Sequence, residues 1–167
     1  MKGILFKPAV WQAKLKVLLE CGEAQTRRLP GLKEINQNPS DWVYQGIPYG
    51  MAYFDHKDSG ERNVIRLPYR VGETVYVKEA YYTESGDVWY KSDGQTAPML
   101  IKWKSPLFMP AWAARHFCLI NNVSAERLRL PLSPEDLQAE GGEVALEMLE
   151  KIDGLWVWVY SFRMVER

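Results

Sequence analysis

The segment "LWVWVYSFRMV" at 155–165 constrains the fold more than any other stretch of the chain. Its residues alternate with the period of two that is typical of a β-strand. The side chains on one face are bulky and aromatic, namely Trp156, Trp158, Tyr160 and Phe162. Those on the other face are Val157, Val159, Ser161 and Arg163. A strand with so much apolar surface belongs in the interior of a sheet, and we predict that it is central.

Three helical segments are predicted from residue spacing and capping residues. The first begins at Pro8 and runs to Glu20, with Gly22 as its stop. Its apolar residues recur at steps of three and four as one buried stripe: Val10, Trp11, Leu15, Leu18 and Leu19. The opposite side is predicted to carry Gln12, Lys14, Lys16 and Glu20. A second helix begins with Ser133 as N-cap and closes at Gly141, and a third covers 143–152.

Short strands account for most of the remaining chain. They are predicted at "GILF" (3–6), "YGMAYF" (49–54), "RNVIRLPYR" (62–70), "VGETVYVKEAYY" (71–82), "DVWYKSDGQ" (87–95), "MLIKWK" (99–104) and 117–123. Residues 29–45 hold two prolines and a glycine without sustained periodicity, which predicts a loop or flap. This pattern predicts a single α+β domain over 1–167. The most economical arrangement is a small mixed β-barrel with helices over its openings.

The charge balance limits the ligands that the chain can hold. Its 21 basic and 21 acidic side chains cancel, whereas proteins that grip many phosphates usually carry a basic excess. Strong nonspecific binding to duplex DNA is therefore disfavoured. The arginines are unevenly distributed along the chain, however. Arg27 and Arg28 are adjacent, and Arg115, Arg127 and Arg129 come late in the sequence. A local basic patch that holds a few phosphates remains open.

The apolar runs are too short to cross a bilayer, and the first ten residues do not have the pattern of a signal peptide. We therefore expect a cytoplasmic protein. Cys21 and Cys118 are far apart and have no metal-ligand spacing to histidine or to each other, so we expect free buried thiols. No metal and no cofactor are expected.

The first candidate site is the cluster "EAQTRR" at 23–28, directly after the first helix. Ordinary turn geometry does not require two adjacent arginines. Gln25, Thr26, Arg27 and Arg28 offer donors suited to a phosphate or a base edge, and the planar guanidinium can hydrogen-bond in pairs or stack. In an extended strand, Gln25 and Arg27 would face one way and Thr26 and Arg28 the other. Only one of these pairs can then face a cleft.

Further candidate ligand-binding residues are charged or aromatic: Lys78, Glu79, Tyr81, Tyr90, Trp112 and Arg115. Because a buried carboxylate must be paired, we predict that Glu79 orients an arginine of the 27–28 cluster. Two alternatives stay open. Lys78 and Glu79 can lie at a strand edge, and either arginine can form a weak surface ion pair with Glu23 or Glu79. For the aromatic residues, core or rim packing is the default and base stacking the minority interpretation.

The order of these segments resembles the ASCH domain family, within the PUA-like β-barrel group, and in particular its phage and prophage members. The resemblance covers nearly the whole chain. It rests on "ILF.P", "QTRR" at 25–28, "VGETVYVKEAYY", "YKSDG" at 90–94, "MPAWAAR" at 109–115, "LSPEDLQAEG" at 132–141 and "WVWVYSF". It implies a barrel with a cleft beside the first helix, lined by the segment that follows this helix. The implied ligand is single-stranded RNA, another single-stranded nucleic acid, or a modified nucleotide.

Some members of this family are hydrolases, including an amidohydrolase that acts on acetylated cytidine with a lysine, a threonine and a glutamate, and some are described as ribonucleases. By position, the threonine falls on Thr26 and the glutamate on Glu140, while Glu23 stands where the family has lysine. A carboxylate cannot supply the cation that activates a hydroxyl or steadies an oxyanion.

Three hypotheses follow. In the first, which we favour, the chain is a binding module for RNA or a modified nucleotide. In the second, it is a hydrolase on a nucleoside or RNA in which Thr26, Glu140 and Glu23 handle protons around a water. In the third, it is a phage protein that docks onto a host protein.

Overall fold

The computed structural model describes residues 1–94 and 102–166. The strands in these residues are β1 (Lys2–Leu5), β2 (Ala24–Arg28), β3 (Trp42–Gly46), β4 (Met51–His56), β5 (Arg62–Arg66), β6 (Thr74–Lys78), β7 (Tyr81–Glu84), β8 (Asp87–Tyr90), β9 (Phe117–Arg127) and β10 (Trp156–Val165). The helices are α1 (Pro8–Cys21), α2 (Pro134–Glu140) and α3 (Glu143–Glu150), together with short 3₁₀ turns. The predicted α+β class is confirmed.

The main sheet has five strands in the order β1-β6-β9-β10-β2, with β1 parallel to β6 and the other pairs antiparallel. Strand β10 lies between β9 and β2 and is buried along most of its length, which confirms that it is an interior strand. Separate sheets are formed by β3-β4-β5 and by β7-β8. In the described part of the chain the sheets do not join into a closed barrel, so the predicted barrel is not confirmed.

The two edges of the main sheet, β1 and β2, approach each other. Arg28 on β2 donates a hydrogen bond from Nη2 to the main-chain oxygen of Leu5 on β1, over 2.6 Å. The Arg28 side chain therefore connects β1 and β2, which are not paired by main-chain hydrogen bonds in the described residues. A cleft lies at this gap between β1 and β2, with α1 beside it.

Helix α1 begins at Pro8 and ends before Gly22, as predicted. Gly22 has a φ of 78°, and its N–H donates to the oxygen of Leu18. This left-handed conformation is the reason that a glycine follows the helix. The predicted faces need correction: Lys14 is 0% exposed, whereas Leu19 is 76% exposed. Because Lys14 lies four residues after Val10 and four before Leu18, it belongs to the buried stripe.

The segment 29–45 packs on the core and does not project as a flap. It contains two 3₁₀ turns and the start of β3, and both Leu32 and Ile35 are fully buried. The side-chain amide of Asn36 donates from Nδ2 to the main-chain oxygen of Trp156 and accepts at Oδ1 from the main-chain N–H of Trp156. The sequence of segment 29–45 lacks periodicity because the backbone follows an irregular path, although the segment is anchored to the core.

Three smaller predictions can be compared with the structure. Residues 99–101 of the predicted strand 99–104 lie outside the described residues. In the described part of this segment, Lys104 forms an isolated β-bridge with Tyr81. Cys118 is buried as expected, but Cys21 is exposed because it occupies the last turn of α1. Among the described residues, no helix combines the length and apolar character that a membrane crossing requires.

Candidate functional site

A cleft of about 510 Å³ lies between α1, the end of β1, the outer edge of β2 and the helices α2 and α3. Its polar wall is formed by Lys14, Thr26, Arg27, Arg28 and Glu140. Its apolar lining includes Phe6, Val10, Leu29, Ala145, Met148, Leu149 and Ile152. The exposed lysines Lys7 and Lys151 also line it. The cleft is thus apolar on one side and mostly cationic on the other.

Strand β2 places the predicted cluster at this cleft because it is an edge strand. Among the described residues it pairs with β10 alone, in a register that sets Thr26 opposite Tyr160 and Arg28 opposite Trp158. Its other edge is open towards α1, where the main-chain oxygen of Gln25 accepts a hydrogen bond from Lys14 Nζ. The cluster therefore follows the helix in sequence and also lies beside it in space.

Lys14 and Glu140 form a buried ion pair in the wall of the cleft. Lys14 Nζ lies 3.0 Å from Glu140 Oε2, and Glu140 is 3% exposed. The same ammonium also donates to the main-chain oxygens of Gln25 and Glu140. Three acceptors match the three protons of an ammonium group. Burial lowers the pKa of Lys14, and the charge of Glu140 opposes this effect.

Arg27 is held by carboxylates on three sides. Its Nε donates to Glu126 Oε1 over 2.7 Å and its Nη1 to Glu140 Oε1 over 2.9 Å, while Nη2 lies 3.5 Å from Asp136 Oδ2. Gln25 adds a longer contact of 3.5 Å to Nη1. Burial lowers the pKa of Arg27, but these partners outweigh it and the net shift is upward. The charge of Arg27 is already balanced within the protein.

Arg28 differs because the described residues give it no carboxylate partner within ion-pair distance. Its Nη2 bonds the oxygen of Leu5, and its guanidinium lies 4.7 Å from the centre of the Phe6 ring. Its Nε is buried and has no hydrogen-bond partner. Burial lowers the pKa of Arg28, and more distant groups such as Tyr69 and Glu140 oppose the shift only in part. The wall of the cleft therefore contains one cation whose hydrogen bonds and charge are incompletely satisfied.

The structure brings two of the three predicted catalytic residues together in the cleft. Thr26 and Glu140 both line the cleft, and Thr26 is buried. Glu23 does not line it; its side chain is exposed and accepts a hydrogen bond from Asn121. Glu23 lies between the end of α1 and the start of β2. The structure therefore does not bring Glu23 together with Thr26 and Glu140 in the cleft.

Glu79 is a buried pairing carboxylate, as predicted, but its partner is Arg115 and not an arginine of β2. Arg115 donates from Nε and Nη2 to the two oxygens of Glu79 over 3.0 and 2.9 Å. Ser92 donates to Glu79 Oε1 over 2.8 Å, and Arg115 also binds Asp93. The sheet order explains the correction, because β9 and β10 lie between β6 and β2.

The other predicted ligand-binding residues lie outside the cleft. Lys78 donates to the oxygen of Leu107 and, with Glu79, lines a separate cavity. Tyr81 is buried and donates to the oxygen of Phe108, and Tyr90 donates to the oxygen of Ala113 beneath the Arg115 guanidinium. Trp112 is exposed. The structure thus resolves the predicted set into the cleft and a second cluster around Glu79 and Arg115.

The main residue that sequence reasoning missed is Lys14. The signal was present, because Lys14 has the i+4, i+3 and i−4 spacing to Val10, Trp11 and Leu18 that defines the buried stripe. A lysine on an apolar stripe requires a buried carboxylate partner. Nothing in the sequence identified Glu140 as that partner, since α2 is brought to α1 only by tertiary packing.

The chemistry of the cleft favours binding an anion or a planar polar group. Its free hydrogen-bonding capacity is cationic, whereas the carboxylate of Glu140 already accepts from Lys14 and Arg27. In the described residues, no three His, Cys, Asp or Glu side chains are close enough together to hold a metal ion.

Comparisons with protein-family models, with curated proteins and with solved structures find no match for this chain.

Proposed function

We propose that this chain is a nucleic-acid-binding module of the ASCH type, with a PUA-like barrel that is incomplete at the β1–β2 gap. Its ligand is a segment of single-stranded RNA or a modified nucleotide, one unit of which enters the cleft beside α1. The proposal draws on the segment order that resembles the phage and prophage members of this family. It places the protein in the cytoplasm of a bacterial host cell.

The observation that carries the proposal is the state of Arg28. Arg28 is a guanidinium in a cleft wall, with a buried Nε that lacks a partner and, among the described residues, no carboxylate within ion-pair distance. Such a group can donate to a phosphate or to the edge of a base. Arg27 cannot take this role without losing Glu126 or Glu140. Of the two adjacent arginines, Arg28 is therefore the one that we assign to the ligand.

The rest of the cleft fits a nucleotide in size and in polarity. A volume of about 510 Å³ lies within the range of small-molecule sites, and the apolar side can cover a base or sugar. Phe6 is stacked on Trp11 with ring centres 5.4 Å apart, and Arg28 lies over it as well. Phe6 therefore supports the Arg28 guanidinium, and a guanidinium plane is a surface on which a base can stack.

Substitution of Arg28 by alanine tests this proposal. We expect Arg28→Ala to weaken the binding of short labelled single-stranded RNAs by about 10- to 100-fold, because charge-assisted hydrogen bonds of this kind contribute roughly 1.5–3 kcal/mol. Arg28→Lys should recover part of the affinity, since it keeps the charge and loses the planar fork. The measurement is fluorescence polarisation at low salt with RNA and single-stranded DNA probes.

The matched control is Arg66→Ala, which removes an exposed arginine that does not line the cleft. Thermal melting of each variant separates a loss of affinity from a loss of folding. The proposal fails if the wild-type protein binds none of the probes saturably. It also fails if folded Arg28→Ala protein binds them as tightly as wild type does.

A second candidate function is hydrolysis of an acylated nucleoside, and one observation favours it. Lys14 brings an amine to the cleft that holds Thr26 and Glu140, although position 23 lacks the lysine of the family pattern. A lysine, a threonine and a glutamate therefore meet from different positions of the chain. Against this role, the ammonium of Lys14 is fully used by three acceptors, and both oxygens of Glu140 are engaged.

The two candidates differ in turnover. As a hydrolase, the wild-type protein should release free nucleoside from an acylated one, and Thr26→Val should abolish release while leaving the melting temperature nearly unchanged. As a binding module, it should retain the nucleotide without forming product over hours. Mass spectrometry of the reaction mixture distinguishes these outcomes, and product that persists in the Thr26→Val variant would exclude a catalytic role for Thr26.

A further inference from the structure

A second groove lies on another part of the molecule and shares no lining residue with the cleft. It has a volume of about 480 Å³ and is open to solvent. One side is β3 with Trp42 and Tyr44, and the other is the end of β9. Lys57, from the turn between β4 and β5, and Arg129, just beyond β9, also line it.

The groove carries an excess of positive charge in a chain whose net charge is zero. Its cations are Lys57, Arg127 and Arg129, and its one carboxylate is Glu126. Glu126 Oε1 accepts from Arg27 Nε over 2.7 Å, so Glu126 is already paired with a cation from outside the groove. The charge that this groove presents to a ligand is therefore positive.

These cations are also available. Lys57 and Arg129 are exposed, and the described residues give neither side chain an ion pair. Arg127 donates from Nε and Nη2 to the oxygen of Gly154, which fixes its guanidinium without neutralising it. Fixed and free cations along one groove are suited to phosphates that occur at intervals.

An aromatic surface accompanies the cations. Trp42 is only partly buried and makes an edge contact with His56, with ring centres 5.2 Å apart. Trp156 lies deeper and is anchored by a hydrogen bond from its Nε1 to Pro39. Cations interleaved with a partly exposed indole are the combination by which proteins bind single strands, with phosphates on the cations and a base on the ring.

We propose that the groove between β3 and the end of β9 is a second contact surface for single-stranded nucleic acid, which holds its phosphate backbone independently of base sequence. The inference rests on the proposed function only in the class of ligand, because it uses none of the residues of the cleft. A mononucleotide should engage the cleft alone, whereas an oligonucleotide should also engage the groove.

The test compares a labelled 12-nucleotide single-stranded RNA with a labelled mononucleotide. Lys57→Ala/Arg129→Ala should weaken binding of the 12-mer on the order of tenfold at low salt and leave the mononucleotide unaffected. The slope of log affinity against log salt should become shallower by about 1.4, which corresponds to two lost phosphate contacts on a single strand. Both substituted residues are exposed, so the variant should keep the melting temperature of wild type.

The control variant is Lys16→Ala/Lys33→Ala, which removes two exposed lysines that line neither the cleft nor the groove. The inference is overturned if the Lys57/Arg129 variant binds the 12-mer with unchanged affinity and slope, or if the control variant loses as much. Equal losses with a labelled polyglutamate peptide would overturn the assignment to nucleic acid. If Arg28→Ala has no effect while the groove variant weakens the 12-mer, the cleft proposal fails and this inference stands.

Discussion

Replacing Glu140 with alanine is expected to lower the free energy of unfolding by about 3–5 kcal/mol, the usual cost of removing one partner from a buried ion pair. Glu140 is the common carboxylate of two buried cations, with Lys14 on one oxygen and Arg27 on the other. Arg27 keeps Glu126 after the substitution, so most of the cost arises at Lys14, which is fully buried and left with main-chain acceptors only. Urea unfolding followed by tryptophan fluorescence measures the change.

Two companion variants sharpen this expectation. Glu150→Ala removes an exposed carboxylate from the end of α3 and should change stability by less than about 0.5 kcal/mol. Adding Lys14→Met to Glu140→Ala should recover part of the loss, because the double variant no longer buries an unpaired ammonium. A loss below about 1 kcal/mol in Glu140→Ala would mean that the pair does not hold α1, β2 and α2 together.

At the second cluster, Arg115→Ala is expected to destabilise the protein by about 3 kcal/mol, and more than Glu79→Ala does. The reason is the unequal exposure of the two partners: the Glu79 side chain is 6% exposed and that of Arg115 is 30% exposed. Without Arg115, the buried carboxylate keeps the hydrogen bond from Ser92 to Oε1, and its Oε2 retains His116 Nε2 at 3.9 Å. Without Glu79, Arg115 still binds Asp93 at 2.7 Å and reaches solvent.

The pKa of Arg115 agrees with this order. Burial lowers it, but the hydrogen bonds to Glu79 and Asp93 outweigh burial, so the net shift is upward. Urea unfolding of Arg115→Ala, Glu79→Ala and the double variant gives the three free energies. Arg62→Ala, which breaks an exposed pair with Asp55, is the control. A larger loss for Glu79→Ala than for Arg115→Ala would contradict the assigned asymmetry.

Much of the local structure could be predicted from the sequence, because local structure depends on neighbouring residues. Pro8 and Gly22 mark the ends of α1, Ser133 caps α2 by accepting from the N–H of Asp136, and the alternation at 156–165 identifies an interior strand. The buried and exposed faces of α1 were harder to predict. A lysine and a leucine in adjacent helical rows can exchange their expected environments when a carboxylate from elsewhere in the chain covers the lysine.

The site illustrates the same division. The residue types in "QTRR" indicated an anion or base contact. The prediction that strand alternation lets only one of the pairs Gln25/Arg27 and Thr26/Arg28 face a cleft was wrong, because Thr26, Arg27 and Arg28 all line it. Which of the two arginines is saturated depends on Glu126 and Glu140, which lie 99 and 113 residues away in the chain. Glu79 likewise needed Arg115, 36 residues away, as its partner. No local pattern encodes such pairs.

The sequence by itself determined the elements of this protein: the bounds of its helices, the alternating strands, the neutral net charge and the adjacent arginines after α1. Tertiary structure alone decided which charges meet. It made β2 an edge strand and buried Lys14 against Glu140. It also surrounded Arg27 with carboxylates, whereas Arg28, beside the cleft, has no carboxylate within ion-pair distance among the described residues. The physical reason is that helix and strand preferences act over a few residues, whereas ion pairing and burial depend on distances in space that the packing of the whole sheet sets.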